Sequence, residues 1–160
     1  MFFDYDGHDT FANDEKVSEV IQFFNEETES GKIFISYPMV EALKHYSKSL
    51  DFKELKVKAK VNIKYKAIVN NECQNELKHI TRYSKHIWLQ LINLHLKKAN
   101  YIVAGDFSLP QKRVSQTEIF LKQIEHYIKV DSTIAVLSSF PIFIFDYYGY
   151  DYIVNILSDE

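Results

Sequence analysis

Cysteine occurs once in this chain of 160 residues, as Cys73, which excludes an internal disulfide and a cysteine-based zinc site. Breakers of regular structure are nearly as scarce, with Pro 3 and Gly 4. No apolar run reaches membrane-spanning length, and the first residues lack the basic flank and apolar stretch of a signal peptide. A reducing, cytoplasmic setting and no membrane are therefore the expectations. Excess charge is lacking too. Lys+Arg 19 against Asp+Glu 22 gives a formal net charge of -3, so any nucleic-acid contact has to come from a local patch.

What is present is apolar and aromatic. The chain is 46% hydrophobic at 18.9 kDa, enough for one domain over residues 1–160 with a core of its own. Aromatic residues make up 15% and gather near the C-terminus in "SSFPIFIFDYYGYDYI". Ser138 or Ser139 suits a helix cap and Pro141 a first turn, so this stretch reads as a core or dimer-forming helix. A base-stacking platform is its other use.

Periodicity orders the rest. Phe2 to Tyr5 fits a short strand, and Val17, Val20, Ile21 and Phe24 fall at helical spacing before the stop at Gly31. "KIFIS" reads as a second, buried strand, and "PMVEALKHY" opens with a proline suited to a new helix. Strand, helix, strand, helix in that order predicts parallel pairing through a crossover. Next, Lys56, Lys58, Lys60, Lys64 and Lys66 alternate with Val57, Ala59, Val61, Ile63 and Tyr65. The alternation predicts a half-buried strand near 54–59, followed by a helix from about 62. Ile80, Tyr83, Ile87, Leu91 and Leu94 predict a helix from Glu76 to Lys98. A further helix is expected from about Gln111 to Lys129, with Ile119, Leu121 and Ile124 inward, and "STIAVLSS" as a buried strand after it. The fold class expected is α/β: a small, mainly parallel sheet with several packed helices, a Rossmann-like half and a helical C-terminal region.

The chemistry-bearing stretch is "DYDGHD", where Asp4 and Asp6 stand two apart. Two carboxylates delivered to a strand end are a common means of holding magnesium, and an ordinary turn uses the same residues. An EF-hand loop fails because Asp9 occupies the place of its sharp-turn glycine and no room is left for the entering helix. Asp4-Tyr5-Asp6-Gly7 resembles the haloacid-dehalogenase phosphatases, but the later motifs are out of order, since "AGDFS" around Asp106 precedes "VLSS" around Ser138.

The arrangement "FFDYD", a helix over about 14–28, then "KIFIS" resembles the second half of a Toprim module, the metal-binding unit of topoisomerases, primases and phage-resistance nucleases. The longer phrase "FDYDGHD…FFNEETESGKIFISYPMVEALKHY" is similar to the C-terminal portion of bacterial abortive-infection proteins of this kind. The resemblance implies Asp4 and Asp6 as magnesium ligands and catalytic carboxylates, with nucleic acid as partner. The module's upstream glutamate is missing, so the resemblance implies a fragment or shortened relative, inactive as a nuclease alone. The alternative expectation is a non-catalytic interaction module forming a homodimer.

Other candidates are read from position. His8 suits an exposed turn. Glu41, Lys44 and His45 share a helix after a parallel strand, where α/β sheets open their crevice, and are expected on its solvated face. His79, His86 and His95 lack one-turn metal spacing and are expected at the surface or partly buried. Lys56, Lys58 and Lys60 form either a phosphate-contact surface or the protection of an edge strand. No nucleophile elbow or glycine-rich phosphate loop is present.

Overall fold

The computed structural model describes residues 1–5, 13–26, 31–59 and 64–158. Asp6, His8 and Lys60 lie outside the described residues.

The first strand, β1 (Phe2–Asp4), leads to helix α1 (Asp14–Phe23), which Asn13 caps by accepting from Lys16 N–H at 2.9 Å. Two short strands, β2 (Asn25–Glu26) and β3 (Gly31–Lys32), pair antiparallel, and the chain passes directly into the fully buried β4 (Phe34–Ser36). β4 pairs parallel with β1, with Phe2 opposite Phe34 and Asp4 opposite Ser36, so α1 is the connection between parallel strands that the element order foretold. "PMVEALKHY" forms only a 3-10 turn, Val40–Lys44. Ala42, Leu43 and His45 are all buried. His45 follows the turn directly and is buried with it.

The lysine segment is a strand, β5 (Lys56–Lys58), with Lys56 and Lys58 exposed, Val57 half-buried and Ala59 buried. Helix α2 (Tyr65–Glu72) follows. The long helix expected from Glu76 is instead two 3-10 turns, Asn75–Leu77 and Ile80–Arg82, and then α3 (Lys85–Ala104). Ser84 decides the start by accepting from Ile87 N–H at 3.3 Å, which leaves Ile80 outside the helix and 51% exposed. α4 (Gln116–Gln123) also starts later than expected, where Ser115 caps it by accepting from Glu118 N–H at 3.4 Å. Its inward residues are Gln116, Ile119, Phe120 and Gln123, whereas Leu121, expected inward, is exposed. A π-helical turn (Ile124–Ile128) and a short α5 (Lys129–Asp131) lead to β6 (Thr133–Ala135), buried throughout as expected. Ser138 caps α6 (Ser139–Tyr148), and Gly149, at φ 82, separates it from α7 (Tyr150–Ser158).

Parallel pairing is confined, among the described residues, to β1 and β4, where a mainly parallel sheet was expected. β5 and β6 are antiparallel, with Val57 opposite Ile134. A strand whose lysine face is wet suits an antiparallel pair, since parallel sheets are covered on both faces. The two pairs meet at one antiparallel bridge, Tyr37 with Leu137, each N–H donating to the other's carbonyl at 2.8 and 2.9 Å. Both strands reach that bridge at their C-terminal ends, so they abut end to end and overlap hardly at all. α4 splints the joint. Gln116 Oε1 accepts from Ile35 N–H at 3.1 Å, two residues before the bridge on one side. Gln123 accepts from Ala135 N–H at 2.9 Å and donates to its carbonyl at 2.8 Å, two residues before the bridge on the other. Seven residues of helix rise about 10 Å and return to the same face, so both glutamines reach the strands from one side of α4.

α3 is buried on two stripes. Leu91 packs with Leu43, Tyr65, Val69 and Val136, while Ile92 and Leu96 pack with Phe145 and Ile153. Ala99 and Ile102 join the main core under the sheet with Ile35, Tyr37, Phe120 and Ile134. No helix among the described residues is long and apolar enough to cross a membrane.

Gln123 is wholly buried. Gln123→Leu should therefore strand two buried backbone groups and cost about 2 to 4 kcal/mol, read as a lower urea midpoint with unchanged slope. An unchanged midpoint would show that α4 is not what holds the joint.

Candidate functional site

The carboxyl ends of β1 and β4 and the first turn of α6 converge on one cleft of about 500 Å³, a volume suited to a small ligand. Asp4 and Ser36 come from the strand ends, Ser138 and Ser139 from the helix cap, and Trp88 and Phe140 from the apolar wall. Such a cleft is where an α/β arrangement of parallel strands exposes its ligands. Ser36 Oγ lies 2.9 Å from Ser139 Oγ and accepts from Ser139 N–H at 3.2 Å, pinning β4 to α6. Tyr5 donates through its hydroxyl to Asp14 Oδ1 at 2.8 Å, fixing β1 to the start of α1. Burial, first, and then that bond raise the phenol well above its ordinary pKa.

Asp4 is exposed, stands opposite Ser36 and is the one carboxylate among the described lining residues. Among the described residues no group of three or more His, Cys, Asp or Glu side chains comes together to hold a metal. A closed cage of protein ligands is thus not what these residues offer.

Behind the cleft stands His95, which is fully buried, where a surface or partly buried side chain was expected. Its Nδ1 accepts from Ser138 N–H at 3.0 Å and its Nε2 faces the Leu43 carbonyl at 3.3 Å. One nitrogen accepts and the other donates, so the ring is a neutral imidazole of one tautomer. It ties the α6 cap to the 3-10 turn beside the cleft. Burial pushes its pKa down to about 3, against a weaker raising effect of the Leu43 contact.

His45, expected on a solvated face, is also fully buried. Its Nε2 lies 2.9 Å from Glu72 Oε2, and its Nδ1 lies 2.9 Å from the Tyr65 hydroxyl. A carboxylate only accepts, so Nε2 carries a hydrogen and donates to Glu72. Glu41 pairs with Lys66 at 3.5 Å and Lys44 donates to Asn70 at 3.1 Å. The three residues thus stitch the 3-10 turn to α2.

Lys56 and Lys58 stand on β5, in a different strand pair from Asp4. Lys56 Nζ lies 2.5 Å from Asp131 Oδ2, and this contact, with the Thr133 bonds, lowers the Asp131 carboxyl below its usual range. A buried lysine was missed altogether. Lys98 is wholly enclosed, donates to the carbonyls of Lys53 and, at 3.2 Å, Leu55, and is pushed down to about 7 by burial, with Glu54 and Asp51 opposing. The signal was present: His95 and Lys98 fall four and seven residues after Leu91, on the inward stripe of a helix otherwise apolar there.

No family model, no curated protein and no solved structure matches the chain.

The histidine sets a pH dependence. Its folded pKa of about 3 lies below the ordinary 6.5, so on acidification the unfolded chain takes up a proton before the folded chain does. Stability is complete above pH 6.5 and is lost as pH falls towards 3, at up to about 1.4 kcal/mol per pH unit. His95→Gln keeps an acceptor for Ser138 and a donor for Leu43 but cannot ionise. Its stability, measured by urea unfolding, should fall less steeply with acid than the parent's, and parallel curves would refute the assignment.

Proposed function

We propose that this chain is a Toprim-like, magnesium-binding protein related to phage-defence nucleases, in which Asp4 and Asp6 hold a hydrated magnesium ion. The observation that supports it is β1, α1 and β4 forming a parallel strand pair with Asp4 at the carboxyl end over the cleft. The donors available there fit the ion. An exposed carboxylate beside serine hydroxyls offers hard oxygen ligands, and magnesium keeps several waters while using one or two carboxylates and the oxygens of a substrate phosphate. The ion would polarise a phosphoryl oxygen, while Asp4 and Asp6 fix its position. Nucleic acid is the partner of the complete assembly, with Lys56, Lys58 and Lys60 as its phosphate contacts, and the protein works in the cytoplasm. Cleavage also needs a positioned acid or base, and we infer that Asp4 and Asp6, both used to hold the ion, do not supply one, so the chain alone does not cut.

A second reading is a homodimer formed through the aromatic C-terminal helices. It draws on Tyr148 and Tyr152, 51% and 47% exposed, whose rings stack at 4.5 Å across the break between α6 and α7.

Magnesium at ten times its Kd should stabilise the parent by about 1.4 kcal/mol in thermal melts, with no response in Asp4→Asn or Asp6→Asn. In chelator, each variant should melt at or above the parent, because neutralising one carboxylate relieves repulsion between the two. Equal melting of the parent with and without magnesium, or magnesium-dependent cleavage by the chain alone that is lost in Asp6→Asn, would overturn the reading. The dimer is tested separately: sedimentation should show parent dimers and Tyr152→Glu monomers, and a monomeric parent removes it.

A further inference from the structure

The cleft that Asp4 lines has a neighbour of about 250 Å³, which shares Val40, Leu43 and Ile80 with it and adds Glu41, Lys44, Lys78 and Tyr83. Leu43 is buried and lies in the floor of both, while Val40 and Ile80, from two separate turns, stand 60% and 51% exposed at the junction. One aromatic wall runs along the pair. The Tyr83 ring of the smaller cleft meets Trp88 of the larger at 5.3 Å, and Trp88 meets Phe140 at 5.6 Å. Tyr83 spends its hydroxyl on the Leu77 carbonyl at 2.6 Å, and Ser36, Ser138 and Ser139 are buried and bonded to one another or to the α6 backbone, so the walls offer mainly carbon. Apart from Asp4 in the larger cleft, charge is confined to the smaller one. Glu41 is spent there: its Oε1 faces Lys66 at 3.5 Å and its Oε2 is enclosed. Lys44 donates to the neutral Asn70 side chain at 3.1 Å, so its charge is not offset. Lys78 is exposed and forms no ion pair among the described residues. Two ammonium groups thus stand at the end of an apolar trough whose one carboxylate at that end is already paired.

We propose that the joined clefts bind a medium-chain aliphatic carboxylate, its head at Lys44 and Lys78 and its chain along Val40, Ile80 and Trp88. Burial of the chain supplies the driving force, because its methylenes and the exposed faces of Val40 and Ile80 leave water together. A flexible chain passes from one cleft into the other over the Leu43 floor, whereas a rigid ring system fills only one of them. The sign of the head follows from the lysines. A cationic amphiphile would bring its charge against two ammonium groups, and an uncharged one would desolvate them without supplying a partner. An ammonium is a compact point charge with three rotatable donors, which suits a carboxylate that needs no bidentate fork. The space available lies within the range of small-ligand sites. Asp4 does not line the smaller cleft, so the head binds without the ion and the inference does not rest on the magnesium reading.

Trp88 is the one tryptophan of the chain and lines the larger cleft, so its fluorescence reports occupancy directly. The test titrates the full chain in chelator with hexanoate, octanoate and decanoate below their micelle-forming concentrations, and with decanol and decyltrimethylammonium as controls, with calorimetry as an independent readout. Decanoate should shift the Trp88 emission to the blue and saturate, and each added methylene should tighten binding by about fourfold. Lys78→Ala should weaken decanoate by about tenfold while leaving decanol unchanged, and Lys78→Arg should restore most of the loss. Ile80→Asp should weaken every chain length. Both positions are exposed, and unchanged melting temperatures would confirm that the variants are folded. Asp4→Asn should bind decanoate at least as tightly as the parent, which separates a failure of this site from a failure of the magnesium site. No saturable shift or heat with decanoate, decanol or decyltrimethylammonium binding as tightly, affinity independent of chain length, or both Lys78→Ala and Ile80→Asp matching the parent would each overturn it.

Discussion

Two peptide hydrogen bonds between Tyr37 and Leu137 join the strand pairs of this protein, and the rest of the fold is arranged around that one contact. Strands abutting at their ends share no ladder, so each leaves a buried backbone edge where a neighbour would otherwise pair. Gln116 and Gln123 supply the missing partners from α4. The solution depends on helix geometry, because residues two turns apart lie on one helix face and let a single helix serve both edges. It also explains two amides in an otherwise apolar stripe: each is worth more bonded to a strand than a leucine would be over an unsatisfied peptide.

The same logic governs the buried histidines and lysine. His95, His45 and Lys98 each replace a backbone or side-chain partner that irregular chain cannot supply. His95 bridges the 3-10 turn and the α6 cap, and Lys98 closes the carbonyls leading into β5. Burial disfavours the charged form of both, and the hydrogen bonds decide how far that goes. For His95 the acceptor role of Nδ1 excludes a proton there, so acid works directly against the support of the cleft.

Phe2 divides the functional surface. On one side lie Asp4, the serine cluster and Trp88; on the other lie Lys32, Arg113 and Tyr147. The arrangement follows from β1 lying with its residues exposed beside the buried β4, which leaves a phenylalanine between two concave faces.

The elements that local chemistry controls were legible in the sequence. Alternation marked β5, branched residues marked β6, and Ser138 marked the start of α6, because each depends on neighbours a few residues away. The parallel pairing of β1 with β4 was legible from element order. The start of α3 was misread because Ile80 and Tyr83 continue its period by coincidence, while a single serine bond at Ser84 sets the boundary. Asp4 could be placed at a strand end from sequence, but not beside Ser36, Ser139 and Trp88. Which polar side chains would be buried could not be read either. The partner of Gln116 is 81 residues away and that of His95 is 43, and only tertiary structure brings a backbone group across that distance to make an inward glutamine or histidine favourable.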